Sequence, residues 1–186
     1  MRLNEVYYSV YGEQPFMGIP MLFVRFAGCN VGCEFCDQDW SVQMEMSEQD
    51  LLDEINECPS EWVCFTGGEP LLQLKPKFVG QVAETKNVCI ETNGTMPWKH
   101  IPGVYVACSP KVWPINPGLD VDYLKLLVGD GKEFWQKPLP AARKYFLQPV
   151  WNDNYKHNLV RAIAIVEEFP DTFVLSIQVH KYIGIK

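Results

Sequence analysis

The segment Met21-Leu22-Phe23-Val24-Arg25-Phe26-Ala27-Gly28-Cys29-Asn30-Val31-Gly32-Cys33-Glu34-Phe35-Cys36-Asp37-Gln38 runs from an apolar stretch into a glycine-rich loop bearing three cysteines. Met21 to Phe26 reads as a strand interrupted by a single charge, Arg25. Cys29, Cys33 and Cys36 follow in the order Cys, three residues, Cys, two residues, Cys. A cubane iron-sulfur cluster normally takes four thiolates, one per iron. A tight group of three therefore points to a 4Fe-4S cluster with one iron left open for chemistry. The other use of such thiols is a zinc knuckle, which needs a fourth ligand from His100, His157, His180 or a distant cysteine at unorthodox spacing.

Beyond the loop, short apolar runs rich in β-branched and aromatic residues alternate with helical patterns. Strands are expected at Met21 to Phe26, Trp62 to Phe65, Val88 to Glu91, Val104 to Cys108, Tyr123 to Leu127, Tyr145 to Gln148 and Phe173 to Ile177. Helices are expected at Glu48 to Glu57 behind a Ser47 cap, at Pro76 to Thr85 and at Tyr155 to Phe169. In the last of these, Leu159, Ile163 and Val166 share one face with Ala162 beside them. Strands joined by crossover helices imply an α/β protein with a largely parallel sheet. Helices are fewer than strands, and Met96 to Gly118 holds Pro97, Pro102, Pro110, Pro114 and Pro117. A closed eight-fold barrel is out of reach.

The 186-residue chain is long enough for one domain with a sizeable core, and residues 1–186 are read as a single unit. Hydrophobic residues make up 47% and charged residues 21%, which excludes a disordered chain. A net charge of −7 argues against a surface that tracks a phosphate backbone, so no direct nucleic-acid contact is expected. Seven cysteines, an odd count, make a poor disulfide framework. Cys64, Cys89 and Cys108 lie in apolar runs and are expected to be buried hydrophobes, with Cys58 outside the ligand set as well. Met1 to Glu5 lacks an apolar signal segment, and no apolar run reaches the roughly 18 residues of a membrane span. The expectation is a reducing cytoplasm and no membrane partner.

A second motif, Thr66-Gly67-Gly68-Glu69-Pro70, follows directly on the strand ending at Phe65. The glycines allow a ligand close to the backbone, and Glu69 offers an anionic acceptor for an ammonium, as an amino acid moiety requires. Alone, Gly-Gly-Glu-Pro is an ordinary turn. Placed at a strand end after the cysteine loop, it gains meaning.

The cysteine spacing and this second motif resemble the radical S-adenosylmethionine superfamily. The resemblance narrows to the 7-carboxy-7-deazaguanine synthase family through Tyr8 to Glu13, Gly18, Pro20, Phe23 to Arg25, Ala27 to Asn30, Cys36-Asp37, Glu91 to Thr95, Ser109 to Lys111, Gln148-Pro149 and Gln178 to Lys181. These matches span nearly the whole chain in order. The implied fold is an incomplete, curved barrel with the cluster loop after its first strand and the active site at the C-terminal strand ends. The implied reaction contracts the ring of 6-carboxy-5,6,7,8-tetrahydropterin to 7-carboxy-7-deazaguanine with loss of ammonia. S-adenosylmethionine on the open iron, split by one electron, supplies the radical that takes a hydrogen from the substrate and is then regenerated. The product leads to deazapurine (queuosine-type) nucleosides in tRNA or DNA. A reductant such as flavodoxin and a homodimer are implied as well.

The resemblance implies that Gly67, Gly68, Glu69, Ser109, Lys111, Gln148, Pro149, Val150 and Trp151 contact S-adenosylmethionine, with Trp151 offering a stacking face. It implies that Val10, Tyr11, Gly12, Glu13, Arg25, Thr66, His180 and the terminal Lys186 line the substrate site. Arg25 offers a bidentate fork for the pterin carboxylate, unless it snorkels to solvent. Glu13 is read as an acceptor for the guanine-like edge or as a solvated loop carboxylate. Thr66 holds the ring or merely ends a strand, and the C-terminal segment closes the site or frays. Two departures stand out. Gln38 occupies the position of a Thr or Ser hydroxyl that helps hold Mg²⁺, and Tyr11 replaces a Gln. An amide oxygen also suits a hard cation, with different geometry. The competing readings are a glycyl-radical-enzyme activating enzyme, which shares both motifs but acts on a protein, and a non-catalytic metal-binding module.

Overall fold

The computed structural model describes residues 1–185. In chain order the elements are β1 (Arg2–Val10), β2 (Pro20–Phe26), β3 (Met44–Glu45), α1 (Glu48–Glu57), β4 (Trp62–Gly67), α2 (Pro76–Ala83), β5 (Asn87–Thr92), β6 (Val104–Cys108), β7 (Tyr123–Val128), β8 (Lys144–Pro149), α3 (Tyr155–Glu168), β9 (Phe173–Leu175) and α4 (Val179–Ile183). The strands form one open sheet in the order β3-β1-β2-β4-β5-β6-β7-β8-β9. From β2 to β9 every neighbouring pair is parallel, and β1 lies antiparallel between β2 and β3. The expected α/β architecture with a largely parallel, unclosed sheet is therefore present.

Burial on both faces explains why the parallel strands are apolar at most positions. Helices α1, α2 and α3 cover one face through Leu51 and Ile55, through Phe78, Val79 and Val82, and through Ala162 and Ile165. α1 begins where expected: Asp50 N–H donates to Ser47 Oγ at 3.1 Å and Ser47 N–H returns to Asp50 Oδ2 at 3.3 Å, a reciprocal cap. Cys64, Cys89 and Cys108 are fully buried, as their apolar settings imply.

On the opposite face the strand beginnings are filled by aromatic side chains. Phe16, from the β1–β2 loop, packs within 4.7 Å of Trp62, 5.7 Å of Tyr105 and 5.6 Å of Tyr123, ring centre to ring centre. That leaves the strand ends on this face open.

Four elements differ from expectation. β1 is an additional strand, antiparallel and next to the sheet edge, so the cysteine loop follows the second strand, which is the first of the parallel set. The inward face of α3 is Asn158, Ala162 and Ile165, while Ile163 is 37% exposed. Asn158 sets this rotation: its Nδ2 donates to the Val150 carbonyl at 3.0 Å, and it presses on Gly129, where a Cβ would lie 2.3 Å away. β3 and α4 are too short to leave a periodic pattern. No helix among the described residues is long and apolar enough to cross a membrane.

Candidate active site

A pocket of about 480 Å³ opens at the C-terminal ends of the parallel strands, within the size range of small-molecule sites. Of the candidate residues, all but Glu69 and Lys186 line it. Lys186 lies outside the described residues. The pocket also takes in Glu5, Tyr7, Phe35, Trp40 and Lys125, which no motif had marked, and Asp37, Glu91, Asn93, Gln178 and Lys181, which lie in the stretches that carry the family resemblance but were not named among the site residues.

One wall is the cysteine loop. Cys29 and Cys33 are half-buried and Cys36 is exposed. Gly28 (φ 84°) and Gly32 (φ 63°) take left-handed backbone that other residues avoid, with open space over both. Asn93 Nδ2 donates to Asn30 Oδ1 at 2.9 Å and lies 3.9 Å from Cys29 Sγ, tying the loop to the end of β5. Burial pushes the Cys33 thiol up, against the pull of Lys111 and Lys132. All three thiols line the same pocket, and three thiolates are the donor set for a cubane that gives each its own iron and leaves one iron open.

The second wall is the Gly67-Gly68 loop, locked to the first. Gly68 N–H donates to the Phe26 carbonyl at 3.0 Å and Glu69 N–H to the Gly28 carbonyl at 2.9 Å. Glu69 itself is a correction. It was expected to face the amino acid moiety, yet it is fully buried behind the wall. Its Oε1 accepts from Leu71 N–H at 3.0 Å and Thr92 Oγ1 at 2.9 Å, and its Oε2 accepts from Asn93 N–H at 2.7 Å. Burial pushes this carboxyl up, opposed by those three bonds. Its contribution is to fix the ends of β4 and β5. Across from it, Lys111 Nζ donates to the Ser109 carbonyl at 3.1 Å and stands 6.0 Å from the Phe35 ring, with burial lowering its pKa. This backbone, hydroxyl and ammonium set has the chemistry to hold an amino acid headgroup. Trp151, 4.3 Å from the Tyr155 ring and 5.5 Å from Lys181 Nζ, lines the same side.

The floor is a polar row running across the sheet. Glu5 pairs with Arg25 across β1 and β2, Arg25 with Thr66 across β2 and β4, and Glu91 with Ala107 across β5 and β6. Arg25 Nε donates to Glu5 Oε1 at 2.9 Å and Arg25 Nη2 to Tyr7 Oη at 3.2 Å. The guanidinium is thereby held at the pocket rather than snorkelling away. Thr66 Oγ1 donates to Glu91 Oε2 at 2.8 Å, and Tyr11 Oη to Glu91 Oε1 at 2.6 Å. Lys125 Nζ reaches Glu91 Oε1 at 2.6 Å and Glu13 Oε2 at 2.7 Å. Glu13 is thus a paired floor group, not a solvated loop carboxylate. Burial pushes the Glu91 carboxyl up, but Lys125, Tyr11 and Thr66 more than reverse this and bring it down to about 2. The same two carboxylates, against desolvation, raise Lys125.

The roof is α4. Val179 N–H donates to the Gly12 carbonyl at 2.9 Å, and His180 packs so closely that a Cβ on Gly12 would lie 2.3 Å from its Nδ1. Lys181 is ion-paired with Asp37, next to Cys36, and Tyr182 Oη donates to Tyr155 Oη at 2.7 Å. Gln38 Nε2 turns to Asp37 Oδ1 at 3.0 Å.

The comparisons agree with this geometry. Residues 23–105 match the model of the Radical SAM superfamily. The 7-carboxy-7-deazaguanine synthase of Bacteroides thetaiotaomicron is 35% identical over 100% of this chain and 98% of its own length. That of Aquifex aeolicus is 31% identical over 99% and 94%. The crystal structure of QueE from Escherichia coli superimposes with a TM-score of 0.76 at 24% identity, covering 96% of this chain and 94% of that one. With the cysteine loop, the locked glycine turn and full-length similarity in hand, the chain belongs to the 7-carboxy-7-deazaguanine synthase family of radical S-adenosylmethionine enzymes.

Proposed function

We propose that this chain converts 6-carboxy-5,6,7,8-tetrahydropterin to 7-carboxy-7-deazaguanine with loss of ammonia. The observation that carries the proposal is one pocket walled by three thiols and floored by Arg25, Thr66 and Glu91 with Lys125 reaching over to Glu91. Cys29, Cys33 and Cys36 would hold a 4Fe-4S cluster. When bound, the cluster and S-adenosylmethionine supply one-electron cleavage of the sulfonium and hence the radical that takes a hydrogen atom from the substrate.

The chain's own residues bind and orient. Gly67, Gly68, Ser109 and Lys111 would hold the amino acid end of the cofactor, with Gln148, Pro149, Val150 and Trp151 along its nucleoside. Glu69 acts by fixing the loop they share. Arg25, its Nε and Nη2 directed by Glu5 and Tyr7, would meet the pterin carboxylate. Thr66, Glu13 and the backbone of Val10, Tyr11 and Gly12 would border the ring, and His180 would cover it from above. The roof excludes water from a site where a carbon radical must survive.

The same reading takes in a one-electron donor of the flavodoxin kind, a homodimeric assembly and product use in deazapurine nucleosides of tRNA or DNA. With Gln38 turned to Asp37, Mg²⁺ is expected to stimulate weakly or not at all. The test is an anaerobic incubation of reduced, iron-loaded protein with S-adenosylmethionine and the carboxypterin, with and without Mg²⁺. Mass detection of the deazaguanine supports the proposal. Cleavage of the cofactor without that product overturns it in favour of an activating enzyme, and protein that takes up no iron or sulfide overturns it altogether.

A further inference from the structure

Lys125 stands mid-strand in β7 and its side chain is only 3% exposed. Its neighbours Leu124 and Leu126 belong to the core under the helices, so strand alternation turns Lys125 to the pocket face. In the row below it, Glu91 and Tyr123 are separated by Ala107 of β6. A methyl at that position leaves the gap through which the lysine crosses to β5. There its Nζ bridges Glu91 and Glu13, while Glu13 Oε1 accepts from Gln178 Nε2 at 2.9 Å.

Two carboxylates on one ammonium leave a surplus negative charge at the base of a cleft. A buried ionic cluster of this kind is a poor way to stabilise a fold, because desolvation offsets most of the attraction. Its position in a ligand-sized cleft marks it as functional. An ionised carboxylate has about four acceptor sites: Glu91 Oε1 is filled by Tyr11 and Lys125, but Glu91 Oε2 and each Glu13 oxygen accept one bond apiece and keep a lone pair to offer a ligand.

We propose that Lys125 is a positioning residue that bridges Glu91 and Glu13, keeping both as fixed carboxylates that accept the amino and ring N–H donors on the pyrimidine edge of a pterin. The inference rests on the pterin reading above. Lys125 acts through the carboxylates and does not touch the reacting carbon. Without it, two buried like charges share a site, and one of them keeps a proton. The protonated carboxyl then opposes a donor with a donor.

Several other groups face Glu91. Tyr11 contacts it, with Cys64 and Cys89 beneath. Arg25, Glu5 and Tyr7 lie farther along the floor, and Lys111 and His180 across the pocket. With so many ionisable groups around the cleft, a pH dependence must be assigned by substitution.

The test uses iron-loaded enzyme with S-adenosylmethionine and pterin-6-carboxylate as a fluorescent probe, titrated from roughly pH 5.5 to 7.5, the range in which a stranded carboxyl would change state. A pH dependence common to all variants belongs to groups other than Glu91 and Glu13. Relative to wild type, Lys125→Met is expected to bind about tenfold more weakly at the acid end and to recover as pH rises. Lys125→Met combined with Glu91→Gln is expected to stay weak without that recovery. Carbon NMR of glutamate-labelled Lys125→Met should show a carboxyl titrating near neutrality that wild type lacks. Equal weakening at every pH, or no new titrating carboxyl, overturns the proposal. Should Lys125→Met not fold, Glu13→Gln decides: loss of probe affinity with no added pH dependence supports the acceptor pair, and unchanged affinity overturns it. Wild-type protein that binds no pterin, alongside a new carboxyl in Lys125→Met, would remove the pterin reading and leave the ionisation role standing.

Discussion

Gly68 and Gly28 meet backbone to backbone: a methyl on Gly68 would lie 1.9 Å from the Gly28 carbonyl oxygen. The contact joins two segments that are far apart in sequence into one wall, and it fixes the cysteine loop relative to β4. Gly68→Ala must push the loops apart, since neither neighbour is a side chain that can yield. The expected result is a loss of about 1–3 kcal/mol in unfolding free energy and reduced iron per chain after reconstitution. Wild-type iron content would show that the wall tolerates separation.

Arg25→Lys keeps the charge but removes the planar fork that meets Glu5 and Tyr7. The expected effect is a rise of roughly ten- to a hundredfold in KM for the carboxypterin, with a smaller change in kcat. An unchanged KM would end the role of Arg25 as a carboxylate clamp.

Glu91 has a distinct acid signature. Burial pushes its carboxyl up, but Lys125 more than compensates, so its folded-state pKa of about 2 is below the ordinary value near 4.5. The ionised form is thus favoured by folding. Its contribution to stability is present above about pH 4.5 and is lost as pH falls towards about 2. Asp37, lowered by Lys181 and Gln38 against its own burial, adds a loss of the same sign. Denaturant unfolding at a series of acid pH values should show a shallower decline for Glu91→Gln than for wild type in this window. Identical slopes would mean that Lys125 does not hold Glu91 ionised.

Removing residues 181–186 deletes the Lys181 pair with Asp37 and the Tyr182 bond to Tyr155 while leaving the sheet intact. Turnover should fall at least about tenfold, with a rising share of S-adenosylmethionine cleaved without product, as expected when a roof no longer excludes water. Full, tightly coupled turnover would show α4 to be dispensable.

The parts legible from sequence are those where one physical cause dominates. Val104-Tyr-Val-Ala-Cys108 is apolar at nearly every position because both faces are covered, and its bounds agree with the observed strand. The Ser47 cap was readable from a local hydrogen-bond pattern. β1 was not, because Arg2-Leu-Asn-Glu-Val-Tyr-Tyr-Ser-Val mixes polar and apolar residues along a half-exposed strand covered on its outer side only by the two-residue β3. The face of α3 was misjudged because its rotation depends on a buried Asn158, a residue that hydropathy assigns to solvent. Arg25 drew notice as a charge inside an apolar strand, and the same signal at Lys125 and Glu91 went unused. Glu69 shows the converse limit, since no sequence pattern tells a carboxylate facing a ligand from one that fastens the loop behind it.

Phe16, wedged among Trp62, Tyr105 and Tyr123 at the strand beginnings, makes the half-open barrel a blind sac instead of a tunnel. The cavity at the opposite strand ends opens under α4, and the aromatic plug closes this face of the sheet to solvent from the other end.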